Sequence, residues 1–266
     1  MPRLSLVSVP VLVLLVACRK PPEAPAKLEQ LAGYLFEHMG DDDTDALSVG
    51  VENLDRWLDD NFEATLEGYT IENPSGGALG TLDGKERKTE GMVGAAVASQ
   101  LDAGVAKATD VLTTGDFTKV FEGSYLQYDR TFEDEPRCFN DKDCDALAFK
   151  VYSVADYPVL GELRANFKAE YRWVEFARGE DGEPLMASVQ RTWLVKPADV
   201  DVDWLTVPAQ YFLAVNVPYQ GGTRRLQATW ILAELGDGPA PESVALNLVV
   251  GSMQDSDVML NDWLNR

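Results

Sequence analysis

Clusters of carboxylates are the residues of this sequence whose types and spacing could support chemistry. The first cluster fills positions 1, 3, 5 and 12 of the register used by calcium-binding helix–loop–helix motifs, with Asp41, Asp43, Asp45 and Glu52. Ala46 stands at position 6, where that motif uses a glycine to make its sharp turn. The segment is therefore either a degenerate calcium loop or an acidic, solvated linker.

Two further carboxylate clusters lack a distant glutamate at matching spacing. One consists of Asp141, Asp143 and Asp145, and the other of Asp199, Asp201 and Asp203. Oxygen-rich clusters of this kind suit calcium better than softer metals. Calcium is thus the one cofactor worth testing, and no other cofactor is expected.

Nucleophilic catalysis requires a positioned base, and the sequence offers few candidates for one. His38 is the only histidine, and it falls at the end of a predicted helix. Paired carboxylates can hydrolyse glycosidic bonds, but among 44 acidic residues no pair stands out. We expect a protein without enzymatic activity and keep a carboxylate-based hydrolase as an alternative.

The N-terminus carries an export pattern. After the basic Arg3, an apolar run from Leu4 to Val16 leads to the tetrapeptide 15–18, Leu-Val-Ala-Cys. The run is shorter than the roughly 20 residues needed to cross a bilayer as a helix. The tetrapeptide resembles the lipobox of bacterial lipoproteins, which implies that residues 1–17 are a signal peptide and that Cys18 carries acyl chains.

The resemblance also implies a location and a partner. Residues 18–26 form a proline-rich tether, and the acyl chains on Cys18 hold the protein to a membrane. Arg19 follows the lipidated position, where aspartate is the inner-membrane retention signal of the resembled class, so we expect the outer membrane. The formal net charge of −21 excludes nucleic acid as a partner.

Two cysteines remain once Cys18 is lipidated. Cys138 and Cys144 are separated by five residues, whereas redox-active pairs of the thioredoxin type are separated by two. In an exported chain this even count predicts a structural disulfide.

Hydrophobic periodicity divides the remaining chain into a mainly helical, acidic region at 27–88 and a β-rich α+β domain at 89–266. Helices are predicted from Lys27 to Met39 and from about Val51 to Phe62, and residues 72–88 read as a loop with at most one short strand. A strand is predicted at 92–99. Asp102 is expected to cap a helix that runs from about residue 105 to Gly115.

Alternating polar and apolar residues predict long antiparallel strands in the second region. The pattern is clearest at 164–173, and similar strands are predicted at 186–196, 207–217, 223–235 and 244–251. A short final helix is predicted from Asp255 or Ser256. The fold class is therefore α+β, with N-terminal helices, a curved antiparallel sheet and a C-terminal helix.

This order of elements, from about Thr89 to Arg266, resembles the START-like helix-grip arrangement. That resemblance implies a sheet curved around a C-terminal helix, with an apolar ligand cavity between them. The predicted final helix has about half the length that the family uses, and the segment between Cys138 and Cys144 is an extra feature. A LolB-type lipoprotein half-barrel or a β-sandwich fits the same pattern.

Aromatic residues on the predicted strands ordinarily form the core of a sheet. If the sheet curves around an empty space, they line a cavity instead, and the candidates are Trp173, Trp193, Tyr211 and Trp230. Phe212 lies on the same strands. Six cations on these strands face either an anionic ligand or a solvated surface paired with Glu170 and Glu175, namely Arg164, Lys168, Arg172, Arg191, Arg224 and Arg225.

These observations favour a cell-envelope lipoprotein that binds a hydrophobic small molecule or an envelope protein. The main alternative is a structural or interaction lipoprotein without a ligand cavity.

Overall fold

A computed structural model describes residues 23–76, 79, 82, 87, 89–157, 160–179, 182–236 and 243–266, except the side chains of 243–246 and 248. The predicted signal peptide, Cys18 and the first part of the tether lie outside these residues. The predicted α+β class is confirmed: two N-terminal helices precede a curved antiparallel sheet, and a long helix ends the chain.

Two amphipathic helices open the described chain. Helix α1 spans Leu28–His38, and α2 spans Asp45–Asn61, followed by a single 3₁₀ turn at Phe62–Thr65. Helix α2 begins six residues earlier than its apolar stripe predicts, and its first residue is Asp45, an acidic residue where the helix dipole favours negative charge. In the described part of 72–88 no strand is present.

Nine strands are present in the described part of the chain. They are β1 (Tyr69–Thr70), β2 (Val93–Leu101), β3 (Gln127–Phe132), β4 (Ala146–Tyr157), β5 (Gly161–Arg178), β6 (Pro184–Leu194), β7 (Asp199–Val200), β8 (Leu205–Tyr219) and β9 (Gly222–Leu235). Their order is β1-β2-β9-β8-β6-β5-β4-β3, with β7 paired to β5. All the pairings are antiparallel. Strands β2 and β9 pair with each other, and they connect β1 at one edge of the sheet to β8 in its middle.

Four further helices whose bounds lie within the described residues are found among these strands or after them. They are α3 (Val105–Thr114), α4 (Phe117–Val120), α5 (Pro136–Asn140) and α6 (Ser243–Leu264). Gly104 precedes α3 as its N-cap, so the prediction that Asp102 caps this helix is wrong. Asp102 instead accepts hydrogen bonds from Asn261 and Asn265 of α6, at 3.1 and 2.9 Å.

The predicted strand at 244–251 is also wrong, because these residues form the first turns of α6. In the sequence, their run of β-branched and apolar residues resembles that of a buried strand. Helix α6 is consequently 22 residues long. The prediction of a short final helix is therefore wrong, and the length of this helix no longer distinguishes the chain from the helix-grip arrangement.

The two faces of the sheet carry different elements. On the convex face, α1 and α2 share one core with β6, β8 and β9. Arg172 fixes the α1–α2 connection to β5 by donating from Nη1 to the carbonyl oxygens of Asp41 and Asp43, at 2.6 and 3.2 Å. On the concave face lie α3 to α6. None of the helices in the described residues is both long enough and apolar enough to span a membrane.

Candidate functional site

The concave face encloses a cavity of about 300 Å³. Its floor is formed by β6, β8 and β9, its roof by α6, and its side walls by α4 with strands β3, β4 and β5. A volume of this size lies at the lower end of the roughly 300 to 1,000 Å³ typical of ligand pockets. The concave face is therefore hollow where the convex face is packed.

Strand alternation places the cavity residues. Along the central strands, the side chains of Gln190, Thr192 and Phe212 line the cavity and remain partly exposed. Their sequence neighbours Val189, Trp193, Tyr211 and Leu213 point to the opposite face and are at most 1% exposed. Because side chains alternate along a strand, this contrast means that the concave face of β6 and β8 is only partly covered at these positions, whereas the opposite face is packed.

Three of the four predicted cavity aromatics lie on the wrong face. Trp193, Tyr211 and Trp230 belong to the convex core, where Phe36 of α1 contacts both Tyr211 and Trp230 edge to face at 5.8 Å. Trp173 lies on the concave side but packs against Phe139 of α5, and its Nε1 donates to the Phe139 carbonyl oxygen at 2.8 Å. None of the four lines the cavity among the described residues. Their prediction as cavity residues is corrected accordingly.

Aromatic residues that the sequence did not single out form one cavity wall. Phe117 of α4 stacks on Tyr128 with ring centroids 4.4 Å apart, and Tyr125 approaches Tyr128 at 5.0 Å. Burial raises the pKa of the Tyr125 and Tyr128 phenols. Both hydroxyls are therefore neutral at physiological pH, and this wall presents apolar rings with uncharged hydrogen-bonding groups.

A buried polar network forms one end of the floor. Ser188, Asn216 and Arg225 face each other across β6, β8 and β9. The Asn216 amide donates to the Ser188 hydroxyl at 2.9 Å, and Arg225 donates from Nη1 to Asn216 at 2.9 Å. Thr109 of α3 meets the Ser188 hydroxyl at 2.7 Å. The network therefore links α3 to the sheet beneath the cavity.

Asp257 of α6 completes this network. Arg225 donates from Nε to Asp257 Oδ1 at 3.0 Å, and the two side chains are each 5% exposed. Burial raises the pKa of Asp257 above its usual range, although Arg225 and the neighbouring Ser99 and Gln227 side chains act in the opposite direction. The pair is held inside the protein, where a lost partner would leave an uncompensated charge.

Of the six strand cations, only Arg225 faces the cavity. Glu170 pairs across strands with Arg191 at 2.6 Å, as the cross-strand alternative predicts, and with Lys168 of its own strand at 3.3 Å. Glu175 pairs instead with Arg178. Arg224 pairs with Asp59 of α2, and Arg164 pairs with Asp201 at 2.8 Å. These cations neutralise carboxylates outside the cavity.

The structure does not bring the predicted calcium ligands together. Asp45 and Glu52 lie on α2, so the register 41–52 is largely helical, and Glu52 pairs with Arg56 at 2.8 Å. Asp41 contacts His38 Nδ1 at 2.6 Å, and Asp43 accepts from the backbone of Asp45. Within the described residues, which include Asp141, Asp143 and Asp145, no group of three or more potential ligands could hold a metal ion.

The predicted disulfide between Cys138 and Cys144 is present, with 5.2 Å between the Cα atoms. It closes the segment that carries α5, whose Phe139 is fully buried against Trp173. The disulfide therefore stabilises the packed end of the concave face, next to the hollow part.

Comparisons with known proteins give structural likenesses only. No protein-family model matches the chain, and no curated protein matches it. Among solved structures, it is similar to a fragment of a STAR-related lipid transfer protein from Xanthomonas axonopodis, with a TM-score of 0.41, 15% identity, and coverage of 68% of this chain and 97% of that one.

Two other solved structures give similar values. A START superfamily protein from Mycobacterium smegmatis has a TM-score of 0.42 and 11% identity, with coverage of 65% of this chain and 97% of that one. Human StAR-related lipid transfer protein 5 has a TM-score of 0.39 and 9% identity, with coverage of 83% and 97%. No family membership is assigned on these figures.

Proposed function

We propose that the protein binds one small hydrophobic molecule in the concave cavity and performs no chemistry on it. The observation that carries the proposal is the unequal covering of the sheet. Central-strand residues such as Thr192 and Phe212 border an open space of about 300 Å³, whereas the opposite face of the same strands is fully packed. A cavity lined mainly by apolar side chains favours an apolar ligand, because burial of the ligand removes apolar surface of both molecules from water.

The composition of the walls supports binding without catalysis. Phe117, Phe121 and Tyr128 supply aromatic rings, while the one cation in the described lining, Arg225, is already paired. A carboxylate hydrolase needs two facing carboxylates. In the described lining no carboxylate is present, and His38 lies on α1, which packs on the convex face.

The alternative of a purely structural or interaction lipoprotein requires a sheet that is packed on both faces. The partly exposed Gln190, Thr192 and Phe212 on central strands argue for ligand binding instead.

The proposal also includes attachment to the outer membrane through acyl chains on Cys18, a residue outside the described part of the chain. It is supported by the lipobox at 15–18 and the proline-rich segment after it. In this proposal the cavity works close to a lipid surface, which is a source of apolar ligands. Replacement of Cys18→Ser should release the protein from the membrane fraction, and unchanged sedimentation with vesicles would refute the anchor.

Titration with the apolar fluorophore N-phenyl-1-naphthylamine tests the binding proposal. We expect saturable binding at one site per chain in the wild type. Native mass spectrometry of protein purified from its own envelope should then show one bound molecule of lipid size. Fluorescence that rises without saturation, together with a mass spectrum of ligand-free protein only, would overturn the proposal.

A further inference from the structure

The cavity changes from polar to apolar along β9. Reading along the strand, the side chains that line the cavity are Arg225, Gln227, Thr229, Ile231, Ala233 and Leu235. These positions alternate, so they lie on one face, and at about 3.3 Å per residue they cover roughly 33 Å of strand. The first three carry hydrogen-bonding groups and the last three do not.

The neighbouring strands follow this order only in part, because Gln210 of β8 also lines the cavity and faces Ile231, in the first apolar row. Gln227 faces Ala214 of β8, which faces Gln190 of β6, and Thr229 faces Phe212, which faces Thr192. At the other end, Trp204, Leu205 and Leu160 close the cavity with apolar side chains. The cavity therefore fits a molecule with one polar end and one apolar end, in a single orientation.

The charge of the polar end is cancelled within the protein. The Arg225 guanidinium uses Nε to bind Asp257 and Nη1 to bind Asn216. Gln190 and Gln227 add neutral amides, and Thr192 adds a neutral hydroxyl, whose oxygen accepts from the Gln190 amide at 3.0 Å. In the described lining no second cation is available for an anionic ligand. A ligand carboxylate entering here would lose its hydration and find the one cation of the described lining already bound to Asp257.

Resting on the ligand-binding function proposed above, we propose that the cavity selects single-chain amphiphiles whose polar group is uncharged, such as a long-chain alcohol or amide, over the corresponding carboxylates. The polar group lies at the Gln190 and Gln227 row beside Arg225, and the hydrocarbon chain points towards Trp204. Asp257 is the residue that determines this selectivity, because it cancels the charge that would otherwise attract an anion.

Competition against bound N-phenyl-1-naphthylamine tests the selectivity. At neutral pH, dodecan-1-ol should displace the probe from the wild type at concentrations at least about tenfold below those of dodecanoate, the difference expected if a buried unpaired charge is disfavoured. Equal potency, or tighter binding of dodecanoate, would overturn the selectivity while leaving the ligand-binding function intact. If the probe itself does not bind, both proposals fail.

Asp257→Asn keeps the shape of the side chain and leaves Arg225 without a carboxylate. We expect the preference to reverse, with dodecanoate affinity rising at least about tenfold because a free guanidinium binds carboxylates strongly. Asp201→Asn is the matched control, since it removes the carboxylate of an Arg–Asp pair at the surface, and it should keep the wild-type preference. A folded Asp257→Asn variant with the wild-type preference would contradict the assignment.

A second variant keeps the test independent of the folding of Asp257→Asn. Gln190→Leu removes an uncharged hydrogen-bonding group from the polar row and preserves the Arg225–Asp257 pair. It should weaken dodecan-1-ol by about three- to tenfold more than it changes the affinity for the probe, which is measured in the same variant. An unchanged affinity for the alcohol would show that the polar group does not bind at this row, which would overturn the proposed orientation.

Discussion

The two faces of strands β6, β8 and β9 are built from neighbouring residues, yet they are covered in different ways. On the convex face Trp193, Tyr211 and Trp230 are at most 1% exposed, beneath α1 and α2. On the concave face α6 crosses above the strands and leaves a space of about 300 Å³. Of the four predicted aromatics, the three on these strands thus belong to the filled face, while the hollow face carries a mixture of polar and apolar residues, among them Gln190, Thr192 and Phe212.

In one sheet, the packed face can therefore supply stability while the other face binds a ligand. Close packing makes every change of volume on the convex face costly. Changes of volume at cavity-lining positions outside the buried Arg225–Asp257 network alter an existing space, so they should affect ligand affinity more than the free energy of unfolding.

Truncation of a convex aromatic should have the largest effect. Trp230→Ala removes a fully buried ring and the hydrogen bond from Nε1 to the Glu72 carbonyl oxygen, so we expect a loss of about 3 to 5 kcal/mol in the free energy of unfolding. Phe212→Ala on the concave face, where the ring is half-buried, should cost about 1 kcal/mol. Urea unfolding measures both. Equal losses would contradict the distinction between the faces.

Arg225→Met should lower the free energy of unfolding by about 3 kcal/mol at neutral pH, because it leaves Asp257 buried without its partner. The pKa of Asp257 is already raised by burial and will rise further without Arg225. A raised carboxyl pKa in the folded state means that stability falls as pH rises from the unfolded value near 3.9 through the folded value.

The deficit of Arg225→Met relative to wild type should therefore shrink on acidification, as urea unfolding at a series of pH values would show. Arg164→Met, which breaks the exposed pair with Asp201, serves as control and should cost much less. A deficit that does not change with pH would mean that Asp257 is not the group left unpaired.

Enlargement of two alanines on one strand compares the faces directly. Ala228→Phe on β9 inserts a ring into the convex core, where Ala228 is fully buried, and should destabilise by about 1 to 3 kcal/mol. Ala233→Phe on the same strand points into the cavity and should cost less than about 1 kcal/mol while abolishing probe binding. Thermal unfolding and fluorescence titration report the two effects. A larger loss of stability for Ala233→Phe than for Ala228→Phe, with probe binding lost only in Ala228→Phe, would contradict the assignment of the two faces.

The smallest effect concerns the attachment of α6, the roof of the cavity. Hydrogen bonds from Asn261 and Asn265 lower the pKa of Asp102. A lowered carboxyl pKa contributes stability above the unfolded value near 3.9, and this contribution is lost as pH falls through the folded value. The melting temperature of Asp102→Asn should therefore fall less steeply below about pH 4 than that of the wild type. If the melting temperatures of wild type and variant fall in parallel with pH, Asp102 does not stabilise the attachment of α6.

Sequence periodicity predicted most of the sheet because alternation is a local property of each strand. It missed β3, an edge strand with mostly exposed side chains, and it missed β4 although the first eight residues of β4 alternate between more and less exposed positions. It also assigned 244–251 to a strand, because a short run of β-branched and apolar residues in a sequence does not distinguish a strand from a helix. A tertiary contact, the packing of α6 over the sheet, decides between the two.

The candidate site was harder to predict, because its residues differ from core residues only in that no other element packs fully over them. The sequence placed the cavity at the aromatic positions, although large rings favour the filled face. A usable signal was nevertheless present in β9. The residues at 226, 228, 230 and 232 are uniformly apolar and indicate the packed face, while the intervening residues from Arg225 to Ile231 pass from polar to apolar. Cys138 and Cys144 could be paired because their spacing is a local property.

A crystal structure with 12-bromododecan-1-ol tests the central claim most directly, since anomalous scattering locates the bromine atom. The account predicts one bromine peak in the concave cavity, near Ile231 and Ala233 on the side towards Trp204, with the hydroxyl beside Gln190 and Gln227. An empty concave cavity at saturating ligand, or a peak between α1 and the convex face, would contradict it.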